Sequence, residues 1–238
     1  MDQQLKDKVL VALDVESKAE ALKLADVLRG TVGGFKIGSR LFTAEGPDIV
    51  RALTGRGDRV FLDLKFHDIP NTVATAAAAA TELGVWMLNV HASGGTAMMR
   101  AALDAAREAA AKRNRASPLV IAVTVLTSMN QAMMRETGIV IDLNDQVLRL
   151  AELVKEAGLD GVVASPRETK AIRARCGAGF TIVTPGIRGG TASVSKDDQE
   201  RTMTPDEAFA AGASYLVVGR PIIAAPDPKV AALAIAGA

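Results

Sequence analysis

A (β/α)8 barrel is the fold class this sequence predicts, and three observations predict it. Short apolar or β-branched runs alternate with helix-length segments eight times along 238 residues. Several helix-to-strand junctions are punctuated alike, as Leu83-Gly-Val85, Ala157-Gly-Leu159 and Ala211-Gly-Ala213, with glycine where a left-handed helix cap belongs. The polar residues of the strands gather at their C-terminal ends, the end at which barrels of this class build their sites. An open doubly wound sheet is the competing architecture, but Asp14-Val-Glu-Ser17 follows the first strand where a glycine-rich dinucleotide fingerprint would stand. Nothing marks a linker, so residues 1–238 are expected to form one barrel domain.

In chain order, residues 9–15 (VLVALDV) read as a buried strand, with Ser17 capping a helix over 18–29. A strand over 35–39 precedes a helix over 41–53, and a third strand over 59–65 precedes an alanine-rich helix over 70–83. Strand four covers 86–91 and leads to a helix over 96–112; strand five covers 119–126, followed by a short segment at 131–137 and a helix over 144–157. Strand six (160–164), a helix (166–175), strand seven (180–184), strand eight (215–219) and a closing helix (227–236) complete the count. Between strands seven and eight lies a polar stretch, 188–203, of the length expected for a lid over a site.

Composition narrows the function. The chain is 49% hydrophobic, enough for a sizeable core, and carries 28 basic against 27 acidic residues with 3% aromatics. Neither a basic run nor interleaved aromatics points to nucleic acid. No apolar run is long enough to span a bilayer, and the charged start, MDQQLKDK, does not read as a signal peptide. A lone cysteine, Cys176, suits a reducing compartment and reads as a small buried hydrophobe. A cytoplasmic protein is expected.

The most informative stretch is Phe61-Leu-Asp-Leu-Lys-Phe-His-Asp-Ile-Pro-Asn-Thr72. Period-2 alternation puts Phe61, Asp63 and Lys65 on one face of strand three and Val60, Leu62 and Leu64 on the other. Asp68 follows three residues on, and Pro70 suits the first position of the next helix. Charged groups seldom project from a strand with so apolar an opposite face unless they pair there or work there. Asp14 at the end of strand one, Lys36 in strand two, Asn89 and His91 at the end of strand four, and Thr127-Ser128 after strand five join the same rim. After strands seven and eight come Pro185-Gly-Ile-Arg188 and Gly219-Arg-Pro221, which offer glycine for close backbone approach and Arg188 and Arg220 for a phosphate. Gln199, within the polar stretch, has an amide that can donate and accept. His67 is assigned no chemistry and is expected to shape its loop, while His91 is a candidate for supporting the site from behind.

These residues resemble the orotidine 5′-phosphate decarboxylase family in its bacterial monofunctional form. The resemblance rests on Asp63-Leu-Lys-Phe-His-Asp-Ile-Pro-Asn-Thr72, with Ala12-Leu-Asp14, Phe35-Lys-Ile-Gly38, Val123-Thr-Val-Leu-Thr-Ser-Met129, Thr184-Pro-Gly-Ile-Arg188 and Val218-Gly-Arg-Pro221, and covers about residues 11–222. It implies a homodimeric (β/α)8 enzyme that converts orotidine 5′-monophosphate (OMP) to uridine 5′-monophosphate (UMP) and CO2 without cofactor or metal, in the last step of de novo pyrimidine synthesis. By position it implies Lys65 as proton donor and Asp63 beside the substrate carboxylate, with Asp68 and Thr72 reaching the partner's site. It further implies that Asp14 and Lys36 bind the ribose, that Lys36 extends the charge network, and that Thr127 or Ser128 meets the pyrimidine. Arg188, Gln199, Gly219 and Arg220 are implied to hold the phosphate. Related magnesium-dependent barrels, which decarboxylate keto-sugar phosphates or join formaldehyde to a pentulose phosphate, share Asp-x-Lys-x-x-Asp but carry a metal-binding glutamate where this chain has Lys36. A phosphate-ligand binding barrel that has lost its chemistry is the rival of another class.

Overall fold

Every residue of Val9–Ala12 is buried, and a strand buried on both faces needs neighbours in its sheet and helices over it. The computed structural model describes residues 3–187 and 203–237, and there the eight strands meet that need by closing on themselves. They are β1 (Val9–Ala12), β2 (Gly34–Gly38), β3 (Val60–Phe66), β4 (Met87–His91), β5 (Leu119–Val123), β6 (Gly161–Val163), β7 (Thr181–Thr184) and β8 (Tyr215–Val218). All pair in parallel and in sequence order, and β1 pairs with β8 to complete the barrel. The expected (β/α)8 class is the observed one.

Two apolar layers follow from strand alternation. Val9, Val11, Ile37, Leu62, Leu88 and Val120 face outward onto the helices, among them Lys18–Leu28, Pro70–Glu82, Gly95–Lys112 and Leu143–Glu156. Leu10, Ala12, Phe61, Met87, Ile121, Val183 and Val217 fill the lumen. Below them the rings of Trp86 and Tyr215 meet edge to face at 5.1 Å, and the Arg59 guanidinium lies 5.5 Å from the Trp86 centroid. The lumen is therefore a packed core with a floor, and its open end is the one where the strands finish.

Local signals account for most boundaries. Ser17 accepts a hydrogen bond from the Glu20 amide at 3.2 Å, as a cap should, and Gly84, Gly158 and Gly212 adopt positive φ at the three repeated junctions. The helix expected over 41–53 is instead two, Ser39–Glu45 and Pro47–Thr54. Gly46, at φ 63°, turns the chain between them, and Pro47 starts the second without needing an N–H partner. β5 stops at Val123, short of the expected residue 126. Helix Pro205–Ala210, which the sequence reading did not delimit, is closed by a capping box between Thr204 and Glu207.

One irregularity positions the site. Leu62 pairs with Leu88, but the next β3 residue in register with β4 is Phe66, opposite Val90. Three residues, Asp63, Leu64 and Lys65, thus face Asn89 alone, and Lys65 takes a left-handed φ of 54°. Such bulges re-aim side chains at barrel rims.

Candidate active site

A cavity of about 440 Å³ opens at the strands' C-terminal end, over the lumen residues Ala12, Phe61 and Val217. Asp63 and Lys65 line it, while Leu62, Leu64 and Phe66 line a separate groove outside the barrel. The two faces read from the sequence are preserved despite the bulge.

The charges form one alternating row. The Lys36 ammonium lies 3.5 Å from Asp14 Oδ1 and 3.4 Å from Asp63 Oδ2, and the Lys65 ammonium lies 2.7 Å from Asp63 Oδ1. Side-chain exposure rises outward from Lys36 (9%) and Asp63 (13%) to Lys65 (34%) and Asp14 (51%). The inner pair would be costly to desolvate singly, so each is held by opposite charge on the other. Asn89, fully buried, donates to Asp63 Oδ1 at 2.7 Å and accepts the Lys65 backbone N–H at 2.8 Å. The result is a fixed cation, Lys65, held by a carboxylate at the cavity wall and able to stabilise developing negative charge or deliver a proton.

Other residues from the sequence reading fall into three groups. Thr127, Gly219 and Arg220 line the cavity with Pro185, Gly186 and Ile187. Ser128 is exposed, as are Asp68 and Thr72, and none of the three belongs to the cavity lining. Among the described residues the ion-pair partner of Lys65 is Asp63, not Asp68. The Asp68 carboxylate turns back to accept the Ile69 amide at 2.6 Å. Arg188, Gln199 and most of the proposed lid, 188–202, lie outside the described residues.

The model of the orotidine 5′-phosphate decarboxylase / HUMPS family matches residues 7–235. The chain belongs to that family. Among curated relatives, orotidine 5′-phosphate decarboxylase of Moorella thermoacetica is 60% identical over 232 residues, covering 97% of this chain and 91% of the relative. The enzyme of that name from Syntrophotalea carbinolica is 55% identical over 96% of this chain and 93% of its own length. The crystal structure of orotidine 5′-phosphate decarboxylase from Lactobacillus acidophilus superposes with a TM-score of 0.84 at 39% identity, covering 95% of this chain and 96% of that one. The identification of the family from the motif around Asp63 and Lys65 is thereby upheld.

Three features of this family member's site went unassigned in the sequence. Arg40 lines the cavity and pairs with Glu16 at 2.9 Å. Asn89 was noted only as a polar strand end, though its parity with the lumen residue Met87 pointed inward. Gly38 leaves the room that the Lys36 ammonium occupies: a Cβ there would stand 2.8 Å from Lys36 Nζ and 3.4 Å from Asp14 Oδ1. Its φ of −94° suits any residue, so the demand is for space alone. Gly38→Ala is expected to leave thermal stability nearly unchanged. It should lower kcat/KM by about 10-fold, because the ammonium is displaced by a fraction of an ångström from its two carboxylates. Parent-like kinetics would show that Lys36 tolerates the shift.

The two histidines meet at the rim, with ring centroids 5.3 Å apart. His67 is exposed and His91 half-buried. Burial foremost, then the nearby His67 and the Lys65 charge, hold His91 below its ordinary 6.5, with Asp63 opposing. The unfolded chain therefore binds this proton more readily than the folded one. The contribution to stability is complete above pH 6.5 and is lost as pH falls through the lower folded value. Denaturant midpoints should fall less between pH 7.5 and pH 5 for His91→Asn than for the parent; equal losses would remove His91 from the acid response. Burial likewise pushes the Cys176 thiol up, in keeping with a packing role.

Proposed function

We propose that this chain decarboxylates OMP to UMP and CO2 in pyrimidine biosynthesis, with residues 1–238 acting as one catalytic barrel. The observation that carries the reading is the row Asp14, Lys36, Asp63, Lys65 at the mouth of the barrel, in a chain of the orotidine 5′-phosphate decarboxylase / HUMPS family.

The C6–carboxyl bond breaks with its electron pair left on C6, in a carbanion that the ring π system does not delocalise. Uncatalysed, such a step is very slow, and the site has to lower its barrier by roughly 20 kcal/mol. Lys65 supplies a cation where that pair develops and then transfers an Nζ proton to C6. Asp63 holds the ammonium in place, and its own charge disfavours the substrate carboxylate more than departing neutral CO2. Asp14 and Lys36 take the ribose, and Thr127 or Ser128 takes the pyrimidine. Arg188, Gln199, Gly219 and Arg220 take the phosphate, whose binding energy orients the reacting ring. No cofactor enters these steps. The chain works as a cytoplasmic homodimer in which Asp68 and Thr72 complete the partner's site, which accords with their exposure beside the cavity-lining strand.

Within the family, a magnesium-dependent sugar-phosphate reading places a divalent cation beside the end of β2. Here the Lys36 ammonium stands between Asp14 and Asp63 at that place and would repel it. The deciding experiment follows the orotate ultraviolet band of OMP with purified protein in the presence of a chelator. Loss of the band establishes the decarboxylase. An inert band, with turnover of a keto-sugar phosphate on adding magnesium, moves the chain to the metal-dependent branch. UMP binding without any turnover leaves a binding barrel.

A further inference from the structure

We infer that Asn89 is the positioning residue of this site, the group that fixes both the backbone of Lys65 and the orientation of the Asp63 carboxylate. The inference rests on the proposed role of Lys65 as proton donor.

The geometry leaves the Lys65 amide without a ladder partner. β3 and β4 lose register after Leu62 and regain it at Phe66. Lys65 is also one of only two non-glycine residues with positive φ among the described residues, at 54°. A lysine gains nothing intrinsic from that conformation, so something must hold it there. The Asn89 side chain does so, accepting the Lys65 N–H at 2.8 Å in place of a strand carbonyl.

The other end of the same carboxamide sets the carboxylate. Asn89 Nδ2 and Lys65 Nζ both reach Asp63 Oδ1 at 2.7 Å, which leaves Oδ2 toward Lys36 at 3.4 Å. One side chain thus ties the main chain of the proton donor to the carboxylate that orients its ammonium. The task needs one donor and one acceptor on a short neutral side chain in a fully buried place. Asparagine meets it, a carboxylate lacks the donor, and leucine lacks both. Four charged or titratable groups surround the carboxamide or its partners: Asp63 and Lys65 from β3, Lys36 from β2, and His91 from β4 itself.

The test compares the parent with Asn89→Leu and Asn89→Asp. Asn89→Leu, of similar size, should lower kcat by about 10- to 100-fold, with KM within about threefold because phosphate and ribose contacts are untouched. Sites counted by UMP titration should stay near the parent number. Asn89→Asp keeps the acceptor for Lys65 but sets a second carboxyl against Asp63, and the repulsion between them makes the pair take up a proton at a higher pH than a lone carboxyl does. Its kcat should therefore be low at pH 8 and recover toward pH 5.5, when a shared proton restores the donor, a profile the parent lacks. The inference is overturned if kcat per titrated site matches the parent in Asn89→Leu. It is equally overturned if Asn89→Asp shows the parent's pH profile, which decides the matter should the leucine variant not fold. A parent that does not turn over OMP sinks the reading of Lys65 and this inference together. An active parent beside an unimpaired Asn89→Leu sinks this inference alone.

Discussion

Lys65→Ala abolishes turnover: kcat is expected to fall by roughly 10⁴-fold or more, the combined weight of a lost proton donor and a lost cation at the reacting carbon. UMP should still bind, since Asp14, Lys36, Gly219 and Arg220 line the cavity from elements other than β3. Truncation frees Asp63 Oδ1 from the ammonium at 2.7 Å, but the carboxylate keeps Asn89 on that oxygen and Lys36 on the other. The fold should consequently survive, and a small change in melting temperature would confirm that chemistry alone was removed. The measurement is the orotate band with chelator present. A loss below about 10-fold would reassign the proton to another group and overturn the mechanism.

The second large effect concerns a residue that does nothing visible within one chain. Asp68 is exposed and bonded to its own neighbour's amide, yet on the proposed homodimer Asp68→Ala is expected to reduce kcat by about 10²- to 10³-fold, by withdrawing charge from the other subunit's site. Mixing decides whether the loss is shared across subunits. Lys65→Ala and Asp68→Ala each leave one half of a site intact. A mixed dimer then holds one complete site, and random exchange of equal amounts restores about one quarter of parent activity. Verified mixed dimers without recovery would confine Asp68 to its own chain, and an active Asp68→Ala would remove it from catalysis.

Much of this molecule is legible in its sequence. Strand order, the barrel and the inward row of Asp63 and Lys65 follow from period-2 patterning and from glycines at helix ends, which are local signals. The split of the helix expected over 41–53 is also local, carried by Gly46-Pro47, but the apolar periodicity runs through it and masks it. The site was harder. That Lys36 reaches both Asp14 and Asp63 is a statement about three strands, and the space for it depends on the side chain that Gly38 lacks. The bulge at Lys65 has no signature in composition; it is imposed where β3 gains two residues over β4. Asp68 was harder still: its carboxylate bonds the Ile69 amide at the turn into helix Pro70–Glu82, and a role in another subunit's site has no signature within one chain.

The ring pair of Trp86 and Tyr215 beneath a filled lumen has a consequence for traffic. A barrel stoppered at one end is a cup, so substrate arrives and product departs by the same rim. UMP must clear before another OMP can enter, and accumulated product competes directly with substrate. The pace of the cycle at saturation is thus open to control by whatever lets the nucleotide go, a step remote from the carbon where the bond is broken.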